Sequence, residues 1–355
     1  MQDFDNISVI IPSYDPDEKL VPTVEGLLSE GFSDIIIIDD GSKPETQKFF
    51  PANMPGVTIL RHDTNRGKGA GLKTAFRFVL DNRPNSAGCV TADSDGQHKP
   101  SDIASCVRDM LDHPDCVVLG ARDFSLPHVP ERSRKGNRIT SRVFRLLFGM
   151  KISDTQTGLR VFPRSTLPDM LEVRGDRYEY ETNMLISMKR SHIPFREVGI
   201  ETVYIDDNAT SHFRPVRDSI RIYGLILSFA FSSVISAIID IGLFTVFNVI
   251  FTHAGIGFHY GLSVICARVI SSGVNYLINR RAVFGTGDKN SVKRYYILAA
   301  LILALSTAIG QGITHIIPSD ASWIQTLVKT VVDVVMFILS FRIQNEWVFG
   351  KKKTK

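Results

Sequence analysis

The stretch that decides the fold of this 355-residue chain is Thr91-Ala92-Asp93-Ser94-Asp95-Gly96-Gln97. The apolar residues before it predict a short buried strand over residues 88–92. Two carboxylates spaced one residue apart at a strand end suit a divalent metal together with the diphosphate that such a metal binds. The stretch therefore predicts a metal and diphosphate site at one edge of a sheet.

Short apolar runs alternate with helical patterns around this stretch. Strands are predicted over residues 7–12, 34–39, 57–61, 88–92 and 117–120, and helices over residues 16–29, 68–81 and 100–112. This alternation is typical of a mostly parallel α/β sheet with helices on both faces. Because ligands of such sheets bind at the carboxyl ends of the strands, a site is expected there.

Polar residues collect at those carboxyl ends. They are Ser13-Tyr14-Asp15, Asp39-Asp40-Gly41-Ser42, Asn65-Arg66-Gly67-Lys68-Gly69, Asp93-Ser94-Asp95 and Arg122. Any one of these segments could be a plain turn or the start of a helix, since Asp-Gly is common in turns. Their occurrence after successive strands favours one shared site.

Beyond residue 225 the chain becomes apolar. Long apolar stretches cover residues 225–251, 258–283, 295–317 and 323–348. Each exceeds the roughly 20 residues that cross a bilayer. A buried bundle in a soluble protein is the alternative, but four such stretches in succession are rare in soluble folds. The sequence thus predicts a soluble α/β domain followed by an all-α domain with four membrane spans.

The distribution of Lys and Arg predicts the topology. The links after the first and third spans contain neither residue, whereas the middle link and the end of the chain are basic. The positive-inside rule then places the soluble domain and both termini in the cytoplasm. The predicted parts are a soluble domain over 1–210, a basic juxtamembrane segment over 211–224, the membrane domain over 225–350 and a basic tail over 351–355.

Two further features mark the membrane half. Residues 275–284 and 340–349 both carry aromatic and Arg residues and close on Val-Phe, which indicates a repeated two-helix unit. Asp240 and Arg268 fall near mid-depth, where charges are costly. An internal ion pair that fixes helix packing and a polar path for a sugar headgroup both remain open.

Composition excludes several classes of function. The net charge of +4 is modest, and the basic residues cluster around the membrane segments, so no nucleic-acid partner is expected. The four cysteines have no zinc-like spacing and read as reduced thiols. The beginning of the chain is acidic and leads into a strand, which does not fit a signal peptide.

The strand-end motifs resemble the family 2 inverting glycosyltransferases with a GT-A fold. Within that family the chain is similar to the polyprenyl-phosphate glycosyltransferases, the group of dolichyl-phosphate mannosyltransferase and GtrB. The segment Asp154-Thr155-Gln156-Thr157-Gly158-Leu159-Arg160 supports this subgroup. The membrane half resembles the GtrA-like four-helix domains.

The resemblance implies transfer of one sugar from a nucleotide-sugar to polyprenyl phosphate at the cytoplasmic membrane face. It implies Mg²⁺ or Mn²⁺ held by Asp93, Asp95 and Gln97. It also implies a donor site that contains Pro12, Tyr14, Asp40, Lys68, Asp93 and Ser94. Arg122 would stabilise the diphosphate or the acceptor phosphate, and Asp154 and Gln156 would orient the acceptor or the sugar. Glu179 and Glu181 are either sugar contacts or part of a solvated helix face.

The acceptor side is predicted from basic stripes. Arg138, Arg142 and Arg145 share one helical face, and apolar residues share another, as in a helix that lies at a membrane surface. The candidates for holding the acceptor phosphate are Arg138, Ser141, Arg142, Arg214, Arg217 and Arg221. Anchoring to anionic lipid alone is the other interpretation of these arginines.

Other functions stay in competition. A lipid-sugar flippase or scaffold would not require the intact carboxylates. A processive synthase would carry Gln-x-x-Arg-Trp after the acceptor region, and a nucleotidyltransferase would carry a Gly-rich loop after the first strand; this sequence has neither. A UDP-sugar donor is favoured over GDP-mannose by analogy with bacterial proteins. A homo-oligomer and a downstream envelope glycosyltransferase are compatible partners.

Overall fold

The computed structural model describes residues 4–127, 129–201, 224–285, 287–316 and 322–350. The chain divides into two compact units, Met1–Ile222 and Tyr223–Lys355. The predicted basic segment 211–224, apart from its last residue, and the predicted tail 351–355 lie outside the described residues. The predicted domain limits therefore stay predictions.

The first unit is built on one seven-stranded sheet. Its strands are β1 Ile7–Ser13, β2 Asp34–Asp39, β3 Val57–Arg61, β4 Gly88–Thr91, β5 Val117–Arg122, β6 Arg160–Pro163 and β7 Phe195–Ile200. They lie in the order β3-β2-β1-β4-β6-β5-β7. Among the described strands, β6 alone runs antiparallel to its neighbours, β4 and β5. The prediction of a mostly parallel α/β sheet is confirmed.

Burial explains why these apolar runs form central strands. In β2 every residue from Ile35 to Asp39 is buried, as expected for a strand covered on both faces. The core joins Val9 of β1, Ile37 of β2 and Val90 of β4 with Leu27 and Ile103 from two covering helices. The centre of the sheet is therefore a rigid support for the loops at its edge.

Six α-helices accompany the sheet in the described part of this unit. They are α1 Leu20–Ser29, α2 Lys68–Asn82, α3 Pro100–Asp112, α4 Glu131–Phe148, α5 Leu167–Leu171 and α6 Glu179–Arg190. The predicted start of the first helix at residue 16 was wrong by four residues. The Asp17 side chain accepts the amide of Lys19 at 2.9 Å, and its carbonyl accepts the amide of Leu20, so a turn precedes α1.

Strands β6 and β7 were absent from the sequence prediction. β6 has four residues, and Arg160 at its start pairs with Thr91 at the end of β4. Because β6 is antiparallel, its first residue lies at the edge where β4 ends. The loop before β6 therefore enters the edge that carries Asp93.

The second unit contains four long helices, α7 Gly224–His253, α8 His259–Ile278, α9 Ser291–Ile316 and α10 Ser322–Ile343. α7 packs against α8, and α9 packs against α10. Among the described residues, the segments Ile226–His253 and Leu262–Val283 are long and apolar enough to cross a membrane. The predicted third and fourth spans fall on α9 and α10, and residues 317–321 between them lie outside the described residues.

The repeated motif adopts the same local structure twice. π-Helical turns at Asn279–Val283 and Gln344–Val348 follow α8 and α10. Each turn closes when the next phenylalanine amide donates to the first carbonyl, at 2.8 Å for Phe284 and 2.9 Å for Phe349. The two phenylalanine rings stack with centroids 4.9 Å apart.

The predicted intramembrane charges form a pair. Arg268 Nη2 lies 3.1 Å from Asp240 Oδ2, and the Ser271 hydroxyl donates to Asp240 Oδ1 at 2.7 Å. The Asp240 carboxylate therefore has a partner on each oxygen. This arrangement matches the interpretation of the two charges as a contact between α7 and α8.

Candidate active site

Asp93 lies in the loop after β4 and forms one corner of a compact charged cluster. Lys68, the first residue of α2, places its Nζ 2.7 Å from Asp93 Oδ1 and 2.9 Å from Glu181 Oε1. The Asp93 side chain is 34% exposed, whereas those of Lys68 and Glu181 are 18% and 14% exposed. Asp93 is thus the member of the cluster that a ligand can reach.

The pKa values in this cluster follow from its charges. Burial, and then the neighbouring charge of Asp93, raise the pKa of Asp95. Burial alone would raise the pKa of Asp93, but Lys68, His98 and Arg122 together outweigh it and the pKa falls. Burial would lower the pKa of Lys68, but the two carboxylates outweigh it and the pKa rises. Asp93 and Lys68 are therefore charged at neutral pH, while repulsion from the Asp93 carboxylate makes the Asp95 carboxyl harder to ionise.

His98 fixes the carboxylate loop. Its Nδ1 accepts a hydrogen bond from the Asp93 amide at 3.1 Å, which requires an unprotonated Nδ1. Burial lowers the pKa of the buried His98 ring, in agreement with a neutral imidazole. The Asp95 carboxylate closes the same loop by accepting the Gln97 amide at 3.0 Å. The sequence alone predicted no role for His98.

Gly158 leaves room beside the Asp93 carboxylate. A Cβ on Gly158 would lie 2.3 Å from Asp93 Oδ2, which is closer than real Cβ atoms approach other atoms. The Gly158 carbonyl also accepts the Thr91 hydroxyl at 2.7 Å, so this glycine is held at the end of β4. Gly158 therefore lets the backbone pass close to the Asp93 carboxylate, where a side chain would clash with it.

The donor set fits Mg²⁺ or Mn²⁺. No group of three or more His, Cys, Asp or Glu residues that could hold a metal occurs within the ranges that the structure describes. Mg²⁺ is usually bound by one or two carboxylates together with substrate phosphates. Asp93 and Asp95, with the space that Gly158 leaves, supply such an incomplete set. The ligand role of Gln97 stays a prediction.

Arg122, at the end of β5, is fixed by a two-point ion pair. Its Nε lies 2.7 Å from Asp154 Oδ2, and its Nη2 lies 3.2 Å from Asp154 Oδ1. Asp154 is fully buried and also accepts the Gln156 amide at 3.0 Å. The Arg122 guanidinium lies over the Phe124 ring, 5.2 Å from its centroid. The Asp154 carboxylate does not reach solvent, so it holds Arg122 in place and has no direct access to a ligand.

The other predicted donor residues lie at the ends of β1, β2 and β4. Pro12, Tyr14 and Ser94 are half-buried, and Asp40 is buried. Asp40 accepts hydrogen bonds from His62 Nδ1 at 2.7 Å and from the amides of Arg66 and Gly67 at 2.9 and 2.7 Å. Asp40 thus fastens the loop that leads to Lys68.

A glycine is required in that loop. Gly67 has a φ of +104°, and a Cβ there would lie 2.4 Å from the carbonyl oxygen of Asp176. This close approach brings the first residues of α2 into contact with the loop before α6. It is one reason why Lys68 and Glu181, far apart in sequence, meet.

A polar groove of about 340 Å³ runs along α4. It is lined by Phe124, Ser125, Arg134, Asn137, Arg138, Ser141, Arg142, Arg145, Ile152 and Ser153. The structure therefore brings the predicted residues Arg138, Ser141 and Arg142 into one groove. The other predicted candidates, Arg214, Arg217 and Arg221, lie outside the described residues.

The arginines of this groove differ in their partners. Arg134 donates to the carbonyls of Phe124 and Leu126 at 3.0 and 2.9 Å, so it holds the loop before α4. Arg138, Arg142 and Arg145 are exposed. On the next face of α4, Ile139 and Leu146 are 56% and 58% exposed. Cations and apolar surface therefore lie side by side.

The groove is joined to Arg122 by two contacts. Phe124 lines the groove and also carries the Arg122 guanidinium on its ring. The Asn137 amide nitrogen donates to the Ser153 carbonyl at 2.6 Å, and the next residue is Asp154, the partner of Arg122. The groove is therefore connected through Phe124 and Ser153 to Arg122, the last residue of β5.

Two further residues support the site, and the sequence alone did not assign their roles. Glu181 was left between a sugar contact and a solvated face, and its carboxylate instead holds Lys68. Arg160 is buried and donates to the backbone carbonyls of Thr157 and Glu181 at 3.0 and 2.7 Å. The only sequence signal for Arg160 was its place at the end of the motif that begins at Asp154.

Comparisons with known proteins find one family in each of the two units of the chain. Residues 8–170 match the family described as "Glycosyl transferase family 2", and residues 228–349 match the family described as "GtrA/DPMS, transmembrane domain". A UDP-N-acetylglucosamine–dolichyl-phosphate N-acetylglucosaminyltransferase of Methanococcus voltae is 31% identical over 56% of this chain and 86% of its own length. A dolichyl-phosphate beta-glucosyltransferase of Dictyostelium discoideum is 28% identical over 61% of this chain and 74% of its own length.

A solved structure is also similar. Glucosyl-3-phosphoglycerate synthase from Mycobacterium tuberculosis, in complex with Mn²⁺, UDP and its product, gives a TM-score of 0.49 at 14% identity. The match covers 63% of this chain and 78% of that protein.

Proposed function

The chain belongs to glycosyl transferase family 2 and carries a GtrA/DPMS transmembrane domain, and on this premise we propose that it transfers one sugar from a UDP-sugar to polyprenyl phosphate at the cytoplasmic membrane face. It is a glycosyltransferase and a membrane protein. The finer parts of the proposal are the donor nucleotide, the divalent metal, the polyprenyl (undecaprenyl) chain and the membrane face. Its product would supply cell-envelope glycosylation.

One observation carries the proposal. The charge of Asp93 interacts with that of Arg122, and the groove with Arg138 and Arg142 shares Phe124 with Arg122, which is fixed by Asp154. A diphosphate on a metal and an acceptor phosphate are both anions, and the transferred sugar must lie between them. The site supplies two carboxylates that would hold the metal, two arginines for the acceptor phosphate, and the planar guanidinium of Arg122, which is linked to both.

The chemistry requires little from a general base. An oxygen of the acceptor phosphate forms a bond to the anomeric carbon as the bond from that carbon to the diphosphate breaks on the opposite face, which inverts the anomer. A phosphate monoester is largely dianionic at pH 7, since its second pKa is about 6. The acceptor therefore needs no proton removed before it attacks.

The protein's own residues then have defined tasks. Asp93 and Asp95, with Gln97, would hold Mg²⁺ or Mn²⁺, which when bound neutralises the charge that develops on the leaving diphosphate. Arg122 would bind phosphate oxygens at the junction of donor and acceptor. Arg138 and Arg142 would hold the acceptor phosphate, while the exposed Ile139 and Leu146 lie against its apolar chain.

The names of the relatives support a dolichyl-phosphate type of acceptor and leave the sugar open. One relative is named for transfer of N-acetylglucosamine from a UDP-sugar and the other for transfer of glucose. We favour a UDP donor for this chain, with GDP-mannose as the competing outcome.

The membrane domain is proposed to place the catalytic domain at the bilayer surface. In this proposal α7 to α10 are four spans, and both termini lie in the cytoplasm because the basic links lie on that side. The pairing of Asp240 with Arg268 accounts for these two charges by helix packing, so we propose no flippase activity.

A donor screen tests the proposed function. The purified full chain would be incubated with undecaprenyl phosphate, Mn²⁺ and single nucleotide-sugars, namely UDP-glucose, UDP-N-acetylglucosamine, UDP-galactose and GDP-mannose. We expect one UDP-sugar to give a lipid whose mass rises by one sugar residue. Product from GDP-mannose alone would overturn the UDP assignment, and the absence of product from every donor would overturn the proposed transfer.

A further inference from the structure

Lys68 occupies an unusual position for a cation next to a metal site. Its ammonium nitrogen lies 2.7 Å from Asp93 Oδ1, so it holds an oxygen of the carboxylate that the proposed function gives to the metal. A cation and an ammonium group in contact with the same carboxylate repel each other. The contact seen here therefore opposes metal binding.

A second carboxylate lowers the free energy needed to move the Lys68 ammonium away from Asp93. Glu181 Oε1 lies 2.9 Å from the same ammonium, and the Glu181 side chain is only 14% exposed. If Lys68 left Asp93 without another partner, a buried charge would be uncompensated, which is strongly destabilising. Glu181 removes that cost because it stays paired with Lys68.

The backbone on both sides of Lys68 is fixed, so only its side chain has to move. Asp40 holds the amides of Arg66 and Gly67, the two residues before Lys68. Arg160 Nη1 donates to the Glu181 carbonyl at 2.7 Å, which holds the residue that faces Lys68. A lysine side chain has a flexible four-carbon stem, so its ammonium can shift while both anchors stay in place.

We propose that Lys68 competes with the divalent cation for Asp93 and, once displaced, turns about its Glu181 contact to bind the diphosphate of the donor. Glu181 is then a positioning residue that acts through Lys68. The chain would bind the bare metal weakly and the metal together with the diphosphate strongly. This inference rests on the proposed function, because it concerns the same donor site.

The test measures binding and not turnover. Mn²⁺ binding to the purified full chain without nucleotide is followed by the electron paramagnetic resonance of free Mn²⁺, and UDP binding is followed by calorimetry at saturating Mn²⁺. We expect Lys68→Gln to bind Mn²⁺ alone about tenfold more tightly and UDP about tenfold more weakly, a size typical of groups in direct contact. A simple structural role for Lys68 would not raise the Mn²⁺ affinity.

Lys73→Gln is the matched control. Lys73 lies on the same helix, α2, and pairs with Asp176 at 2.9 Å, away from the carboxylate loop. The substitution removes the same charge from the same element. We expect both affinities to remain at their wild-type values in this variant.

Glu181→Gln keeps the proposal falsifiable if Lys68→Gln does not fold. With Glu181 neutral, Lys68 has Asp93 as its remaining carboxylate partner, so Mn²⁺ alone should bind several-fold more weakly than to the wild type. An unchanged Mn²⁺ affinity in Glu181→Gln, or an unchanged or lower one in folded Lys68→Gln, would overturn the inference and leave the proposed function standing. Wild-type protein that binds no Mn²⁺ in the presence or absence of UDP would overturn both.

Discussion

Arg122 and Asp154 form a two-point ion pair in which the Asp154 side chain is completely buried and the Arg122 side chain is 22% exposed. The pair joins the end of β5 to the loop before β6. The chain offers a natural comparison, because Arg196 and Asp109 make the same two-point contact at 2.8 and 3.0 Å on a more exposed surface. The two pairs have the same contact geometry and differ in how deeply they are buried.

Asp154→Asn should therefore be costly. The substitution leaves the Arg122 charge without its buried partner, and breaking such a pair costs about 3–5 kcal/mol of unfolding free energy. Because Arg122 would also lose its fixed position, kcat should fall about 100-fold. Thermal unfolding in detergent and a transfer assay measure the two effects.

Asp109→Asn is the control for this prediction. Exposed pairs contribute about 1 kcal/mol or less, so stability should change little and kcat should not change. Equal losses in the two variants would show that burial of Asp154 is not what matters.

Gly158→Ala should damage the metal site without removing a ligand. The new Cβ would lie 2.3 Å from Asp93 Oδ2, so the carboxylate must turn away from its present position. We expect weaker Mn²⁺ binding and lower activity. Gly199→Ala is the control, since a Cβ there meets nothing within 4 Å. Wild-type Mn²⁺ affinity in Gly158→Ala would mean that Asp93 does not bind the metal.

Replacing Arg138 and Arg142 by Gln should raise the KM for polyprenyl phosphate and leave the affinity for UDP unchanged. Both side chains line the groove on α4, and both are exposed for contact with an anion. Arg132→Gln, an exposed arginine of α4 that does not line the groove, should have no effect. Uncharged detergent micelles remove any contribution from anionic lipid. An unchanged KM in such micelles would leave only the anchoring interpretation.

The contact between Asp240 and Arg268 predicts coupling in a double-mutant cycle. The two charges lie 3.1 Å apart. Asp240→Asn or Arg268→Gln alone should destabilise the detergent-solubilised protein, because each substitution leaves the other charge uncompensated. The double variant should regain much of the loss. Additive losses in thermal unfolding would contradict a direct interaction.

The fold was largely readable from the sequence because its central strands are continuous apolar runs. Strands such as β2, with four consecutive isoleucines, admit few other interpretations. β6 escaped prediction because it has four residues and begins with a buried arginine. β7 escaped because it is largely exposed, so its pattern carries little apolar signal.

The candidate site was predictable where motifs follow strands and not where distant residues meet. Asp93, Asp95 and Arg122 follow β4 or end β5 and could be placed from the parallel sheet alone. The contact of Lys68 with Glu181 joins α2 to α6 across more than a hundred residues, and a pattern of local spacing holds no such information. The two-point pair between Arg122 and Asp154 depends on the antiparallel β6, which the sequence did not reveal.

The most direct test of the central claim is a comparison of acceptors with the same lipid chain. Wild-type protein with Mn²⁺ and the preferred UDP-sugar would be given undecaprenyl phosphate or undecaprenol, and the lipids would be analysed by mass spectrometry. Two further reactions remove the metal site, one by adding EDTA and one by the substitution Asp95→Ala. The account predicts a lipid with one added sugar from undecaprenyl phosphate only, and none in EDTA or with Asp95→Ala. Glycosylation of undecaprenol, or full product formation in EDTA, would contradict it.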